Sequence, residues 1–188
     1  MDIIVKYIDE LLEKSTPEAP MWNIEKIRQG LKSNWNYIDG VMIKAVLQMY
    51  DVTKDEKYLK FADNFIDYRV HEDGTIDGYN IGEKNIDNVN AGKTLFELYD
   101  LTGKEKYRKA IDLVYSQIEI MPRCNNEARS FWHKDIYPNQ VWLDGMYMGQ
   151  PFYLEYETKF NNRKNYPDIF AQFKYCLLYT SDDADDRI

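Results

Sequence analysis

The chain contains an internal repeat with a period of 49 residues, and this repeat restricts the fold more than any other feature of the sequence. The segment 44–63 aligns without a gap with the segment 93–112, and nine of the 20 aligned positions are identical. The identities include a tyrosine in each half of the unit, Tyr50 with Tyr99 and Tyr58 with Tyr107. Self-similarity at a fixed period of this length is typical of folds built from stacked supersecondary units.

Each copy of the repeat has the pattern of a helical hairpin. Apolar residues recur at helical spacing in the segments 46–50 and 58–66, and again in the second copy. The first helix of each copy ends near Thr53 or Thr102, and Gly103 suits the left-handed position that follows a helix. A third, more divergent copy begins at Asp144, and two further helices are predicted over 2–14 and 21–31. We therefore expect an all-α fold of about eight helices. Long aromatic loops at one end favour a closed ring of hairpins with a cleft over an open solenoid.

Composition and charge exclude several functions. The net charge is −8 and the basic residues are not clustered, which argues against nucleic-acid binding. No apolar run is long enough for a membrane span. The two cysteines, Cys124 and Cys176, form neither a disulfide framework nor a metal-binding spacing. The first 14 residues form an acidic amphipathic pattern rather than a signal peptide, so a cytoplasmic location is expected. Four Trp, 16 Tyr and eight Phe exceed what a core needs, and some of these rings are expected to line a sugar-binding surface.

The segment 131–152 concentrates the residues that can carry chemistry. It holds Trp132, His133, Lys134, Trp142 and Asp144 in a loop that runs into the start of a helix. Each of them also has a structural interpretation. Asp144 before a glycine fits a helix N-cap, the two indoles fit a core, a lone histidine is more often structural, and a lysine is usually a solvated cation. Burying so many polar groups for packing alone would require a partner for each of them.

The motif Trp-His-Lys-x-Ile-Tyr-Pro-x-Gln-x-Trp-Leu-Asp-Gly-x-Tyr-Met over 132–148 is similar to the signature of glycoside hydrolase family 105, the unsaturated rhamnogalacturonyl hydrolases. It is more distantly similar to that of the unsaturated glucuronyl hydrolases. The segments 85–93 and 35–40 resemble further parts of that family, and the resemblance extends from Trp22 to Tyr175. It implies a six-hairpin α/α toroid, of which this chain supplies about half. We expect the isolated chain to be poorly soluble or inactive, because half a ring leaves inner helices without partners.

The resemblance also implies an unusual reaction. Family members act on a terminal uronic acid with a C4=C5 double bond, left by a pectin lyase; they protonate C4, add water at C5 and release the next sugar. By match to the motif, Asp144 is the acid/base and Asp87 is a second acid that orients the water or modulates Asp144. His133 and Lys134 are expected to bind the uronate carboxylate or hydroxyls, while Trp142 and Tyr37 offer ring faces to the sugar. Asp39, which the repeat pairs with Asp144, is interpreted as a helix cap.

Other interpretations remain open at the level of sequence. A non-catalytic helical-repeat protein that binds glycans or partners is one, and another toroid enzyme, such as an unsaturated glucuronyl hydrolase, an epimerase or a lyase, is the other. No cofactor and no metal are predicted, since nucleotide-binding and zinc motifs are absent and His71 and His133 lie far apart in the sequence.

The chain divides at residue 175. Residues 1–175 are predicted to form the N-terminal part of one toroid domain. Residues 176–188 resemble a translated sequencing-adapter sequence and break the helical pattern, so we expect a non-native tail. A natural acidic tail is the alternative.

Overall fold

The computed structural model describes the backbone of residues 2–183 and the side chains of residues 3–177. Within this part of the chain there are eight α-helices, short 3-10 segments and isolated β-bridges, but no β-strand. The helices are α1 (Asp2–Glu13), α2 (Ile24–Arg28), α3 (Tyr37–Thr53), α4 (Glu56–Asp67), α5 (Lys93–Thr102), α6 (Glu105–Ile120), α7 (Leu143–Phe160) and α8 (Tyr166–Asp183). The predicted all-α class and the number of helices are confirmed.

The two copies of the repeat form matching hairpins, α3 with α4 and α5 with α6. Both first helices end at a threonine whose hydroxyl donates to the carbonyl four residues earlier, with Oγ1–O distances of 2.6 Å for Thr53 and for Thr102. The next residue is left-handed in each copy, Lys54 with φ 56° and Gly103 with φ 68°. The chain then turns directly into the second helix. The third hairpin, α7 with α8, packs beside α5 and α6.

The repeated tyrosines are core residues with anchored hydroxyls. Tyr58 and Tyr107 are buried to 1% and 0% exposure. The hydroxyl of Tyr58 donates to Asp9 Oδ1 on α1 at 2.9 Å, and that of Tyr107 donates to Asp63 Oδ1 on α4 at 2.6 Å. A buried phenol needs such a partner for its hydroxyl. In each copy a tyrosine–aspartate hydrogen bond therefore attaches the second helix to an earlier helix, α4 to α1 and α6 to α4. These contacts account for part of the tyrosine excess.

The inner helices α3, α5 and α7 start at the same end of the molecule. The 3-10 segment Ile86–Gly92, which leads into α5, packs between the beginnings of α3 and α7. Here Asn90 donates its side-chain amide to the carbonyl of Tyr37 at 2.9 Å. Gly40 permits this approach, because a Cβ at that position would lie 2.6 Å from Ala91 Cα. The first turns of three inner helices thus converge on one surface.

The backbone of helix α8 continues through Cys176 to Asp183. The expectation that the helix breaks at Cys176 is therefore wrong. Residues 184–188 of the predicted tail, and the side chains from residue 178 onward, lie outside the described part of the chain. The segment 21–31, predicted as one helix, consists of a 3-10 turn, Met21–Asn23, followed by the short α2. None of the described helices is long and apolar enough to cross a membrane.

Candidate active site

Two loop segments pair side by side and bring the chemical residues together. The backbone N–H of Ile86 donates to the carbonyl of His133 at 3.0 Å, and the N–H of Asp135 donates to the carbonyl of Lys84 at 3.2 Å. This short antiparallel pairing places the segment before α5 against the loop before α7. As a result, Asp87 lies beside His133 and Lys134, although the complete hairpin of α5 and α6 separates them from it in the sequence.

Asp87 is a buried carboxylate between two nitrogen groups. Lys134 Nζ lies 2.8 Å from its Oδ2, and His133 Nε2 lies 3.3 Å from its Oδ1. The second contact is electrostatic, since no described donor meets hydrogen-bond geometry at Oδ1. Burial acts to raise the pKa of Asp87, but the imidazole and the ammonium outweigh it, and the pKa lies below its usual value. Asp87 is therefore held in its ionised form.

Asp144 occupies a different environment only a short distance away. It lies in the first turn of α7 and is exposed. Ligand-capable atoms of Asp87, His133 and Asp144 all lie within 4.8 Å of one another. The N-cap of α7 is Trp142, and no side chain caps this helix, so the interpretation of Asp144 as a plain N-cap is wrong. Among the described residues, none forms a hydrogen bond or an ion pair with its carboxyl group.

The glycine that follows Asp144, Gly145, lies in close contact with His133 and Ile86. A Cβ at this position would lie 2.9 Å from His133 Nδ1 and 3.4 Å from Ile86 Cγ2. The helix can therefore pass close to the imidazole only without a side chain here. The Asp144–Gly145 pair thus places an exposed carboxyl group next to a buried histidine.

The aromatic residues of the motif stack on one another. The ring of His133 lies 4.2 Å from that of Trp142, with 13° between the planes, and Tyr137 stacks on the same indole at 5.2 Å. Trp142 is 40% exposed, and its Nε1 donates to Gln140 Oε1 at 3.0 Å. The indole therefore orients His133. The face that it was expected to offer to a sugar is partly taken up by neighbouring rings.

Tyr37 and Asp39 lie at the start of α3. Tyr37 is 41% exposed at the rim of the surface, and no described contact joins its ring to Asp87 or Asp144. Asp39 is 3% exposed and accepts hydrogen bonds from Trp22 Nε1 and from the side chains of Ser33 and Asn36. The N-cap of α3 is Asn36, which accepts from the backbone N–H of Asp39 at 3.0 Å. Asp39 is thus not the cap itself; its carboxylate accepts from the side-chain amide of the capping residue, Asn36.

Two features near the site carry no signal in the sequence analysis. Lys93, the first residue of α5, points its Nζ at the carbonyl of Tyr147 at 3.0 Å and at its ring at 3.8 Å. Burial, together with Lys44, lowers the pKa of Lys93 to about 8. The other feature is a buried pair of amides, Gln150 and Gln172. In the sequence, Lys93 is notable only because it is identical to Lys44 in the repeat. The burial of Gln150 and Gln172 cannot be predicted from a glutamine at a helical position.

Asp87, His133 and Asp144 form the only group of three potential metal ligands among the described residues. The ammonium of Lys134 already neutralises Asp87 from the other side. A cation in this position would compete with that ammonium. The site thus holds two unlike carboxyl groups, since Asp87 is buried and held ionised while Asp144 is exposed and forms no hydrogen bond or ion pair with the described residues.

The family model of Glycosyl Hydrolase Family 88 matches residues 7–186. The chain belongs to glycosyl hydrolase family 88. A solved structure of a glycoside hydrolase from family 105 of C. acetobutylicum ATCC 824 is similar to it, with 45% sequence identity and a TM-score of 0.72 over 79% of this chain. The family 88 chain spans 41% of the length of that structure. The resemblance to family 105 and the predicted α/α-toroid fold class are confirmed, and this coverage fits the expectation of about half a ring.

Proposed function

We propose that the protein to which these residues belong removes a terminal 4,5-unsaturated galacturonyl residue from the products of a rhamnogalacturonan lyase. The observation that carries the proposal is the pairing of two unlike carboxyl groups, the buried and ionised Asp87 and the exposed, unpartnered Asp144, within 4.8 Å. Membership of a glycosyl hydrolase family and the motif over 132–148 support a carbohydrate substrate.

The first step is proton transfer from Asp144 to C4 of the enol ether. The electron pair of the C4=C5 bond forms the new C4–H bond, and positive charge develops at C5 and the ring oxygen. Asp87 stays ionised under its contacts with Lys134 and His133. A fixed negative charge near the developing cation stabilises the transition state, because it requires no reorganisation during the reaction.

The second step adds water. The Asp144 carboxylate takes a proton from a water molecule whose oxygen forms a bond to C5, and this restores the acid for the next cycle. The resulting hemiketal opens at the bond between C5 and the ring oxygen. The hemiacetal left at C1 then collapses, the bond from C1 to the next sugar breaks, and that sugar leaves as an alcohol. Neither carboxyl group attacks C1, so the usual retaining and inverting arrangements do not apply.

Lys134 and His133 acquire a role that differs from the one expected. Both face Asp87 in this structure, so they act on the substrate through that carboxylate. Lys134 is 24% exposed in its side chain and retains donor capacity towards the cleft. Trp142 and Tyr37 are proposed to border the sugar, Trp142 by its exposed edge and Tyr37 from the rim.

The test is to incubate the full-length protein with an unsaturated galacturonyl-rhamnose disaccharide and follow the ultraviolet absorbance of the C4=C5 bond. Loss of absorbance together with release of rhamnose supports the proposal. Tight binding of the disaccharide without turnover would instead favour a glycan-binding protein. Turnover restricted to a glucuronyl substrate would point to an unsaturated glucuronyl hydrolase.

A further inference from the structure

A small cavity lies against the side chain of His133. It is lined by Trp132, His133 and Gln150 together with apolar side chains that include Phe131 and Met146, and its size is that of about one water molecule. Three buried polar atoms that have no hydrogen-bond partner within the described chain belong to residues of this lining. They are Trp132 Nε1, His133 Nδ1 and Gln150 Oε1.

The orientation of the Gln150 amide follows from its neighbours. Arg123 binds both oxygens of Asp168, at 2.8 and 3.0 Å. Gln172 donates its Nε2 to Asp168 at 3.1 Å, and its Oε1 accepts from the backbone N–H of Phe131 at 3.1 Å. Because that backbone group can only donate, Gln172 Oε1 must be an acceptor. Gln150 therefore directs its Nε2 to Gln172, at 3.0 Å, and its Oε1 remains on the other side.

The three atoms complement a single water molecule. The indole N–H of Trp132 can only donate, and Gln150 Oε1 can only accept. A water that accepts from the indole has two hydrogens to give, one to Gln150 Oε1 and one to an unprotonated His133 Nδ1. A buried water usually makes about three such bonds in a polar site of this size. An unpaired buried polar atom would otherwise cost about 1–3 kcal/mol.

We propose that a buried water joins Trp132, His133 and Gln150, and that Gln150 is a positioning residue that acts through this water on His133. With Nδ1 accepting, the imidazole carries its proton on Nε2, the nitrogen that lies 3.3 Å from Asp87 Oδ1. The ion pair of Asp87 with Lys134 is already balanced, so a neutral imidazole adds no unmatched charge to the buried cluster.

This arrangement links the site to the outer layer of the fold. A continuous path of contacts runs from Arg123 and Asp168 through the two glutamines and the water to His133. The effect on catalysis rests on the proposed function, but the protonation pattern of the imidazole does not. The two parts can therefore be tested separately.

The direct test is nitrogen NMR of the full-length protein labelled with ¹⁵N-histidine, with the His133 signals assigned by their loss in His133→Gln. At neutral pH we expect a protonated Nε2 and an unprotonated Nδ1. Gln150→Met and Trp132→Phe each remove one partner of the water; the first keeps the shape of the side chain and the second keeps an aromatic ring, and both should shift or broaden the Nδ1 signal. Gln29→Met, at an exposed site, is the matched control and should leave that signal unchanged.

Protonated Nδ1 in the wild-type protein would overturn the proposal, as would an Nδ1 signal that neither variant alters. In assays with the unsaturated disaccharide, Gln150→Met should lower kcat about tenfold with little change in KM, since a lost hydrogen bond of this kind acts on positioning rather than on binding. A raised KM at constant kcat would contradict a positioning role. If the full-length protein does not turn over this substrate, the proposed function fails, while the NMR result still decides the water site.

Discussion

Lys134 Nζ contacts Asp87 Oδ2 at 2.8 Å, in a cluster where the Asp87 side chain is only 12% exposed. The pair holds the carboxylate ionised and lowers its pKa, against the effect of burial. Lys134→Met removes the ammonium and leaves a buried charge without its main partner. We expect the free energy of unfolding to fall by about 2 kcal/mol at neutral pH. Activity should also fall, since the Asp87 carboxylate loses the ammonium group that fixes it in the site.

The pH dependence of this loss has a definite sign. A carboxyl group whose pKa is lowered by folding stabilises the protein above its ordinary pKa, near 4, and loses this contribution as the pH falls through the folded value. The difference between wild type and Lys134→Met should therefore be largest at neutral pH and shrink below about pH 4. Urea unfolding across this range measures it. Lys84→Met, which breaks the exposed pair with Asp135, should change stability by less than about 0.5 kcal/mol.

Asp144→Asn separates catalysis from stability. Because the exposed carboxyl group makes no described contact, its loss should leave the melting temperature unchanged, while kcat falls by about a thousandfold. Asp135→Asn, which changes an exposed acid in the loop before α7, should keep its activity. An Asp144→Asn enzyme with full activity would remove this residue from the acid/base role.

Gly145→Ala tests the close approach of α7 to His133. The new methyl group would lie 2.9 Å from Nδ1, so the imidazole must shift from its position beside Asp87. We expect a loss of about 1–3 kcal/mol in stability and a clear drop in kcat. Gly82→Ala places its methyl group only against the flexible Asn80 amide and serves as the control. Equal activity in both variants would show that the spacing is not critical.

Asp39→Ala distinguishes the buried acid of α3 from the catalytic candidates. The substitution leaves three donors, on Trp22, Ser33 and Asn36, without their acceptor. The expected loss of stability is about 3 kcal/mol, with activity per folded molecule unchanged. Thermal unfolding and an active-site titration measure the two quantities. A selective loss of kcat would assign Asp39 to the site instead.

Lys54→Gly gives the first copy of the repeat the residue that the second copy has at the same position, Gly103. Lys54 has the left-handed conformation that Gly103 adopts in the second copy. Its contact with Asp51 is long, 3.5 Å, and exposed, so little is lost with the side chain. Glycine at this position should raise stability by about 0.5–1 kcal/mol, and Gly103→Ala should lower it by a similar amount. An unchanged or reduced melting temperature for Lys54→Gly would contradict this account.

The hairpins could be predicted because their signals are local. Helical spacing of apolar residues, the threonine at the end of each first helix and Gly103 all act over a few residues, and the repeat gives each signal twice. The break expected at Cys176 is wrong for the backbone as far as Asp183, because a polar, acidic composition does not by itself end a helix. The motif residues Asp87 and Asp144 were also found in the sequence, although their assigned roles stay proposals.

The sequence by itself determined the repeated helical unit, the family and the candidate acids. Only the tertiary structure decided how these residues act on one another. His133 and Lys134 turn towards Asp87 because the chain around Lys84 pairs with the chain around Asp135, a contact across a whole hairpin. Periodicity describes which face of a helix is buried, but it contains no information about the partner of a loop side chain.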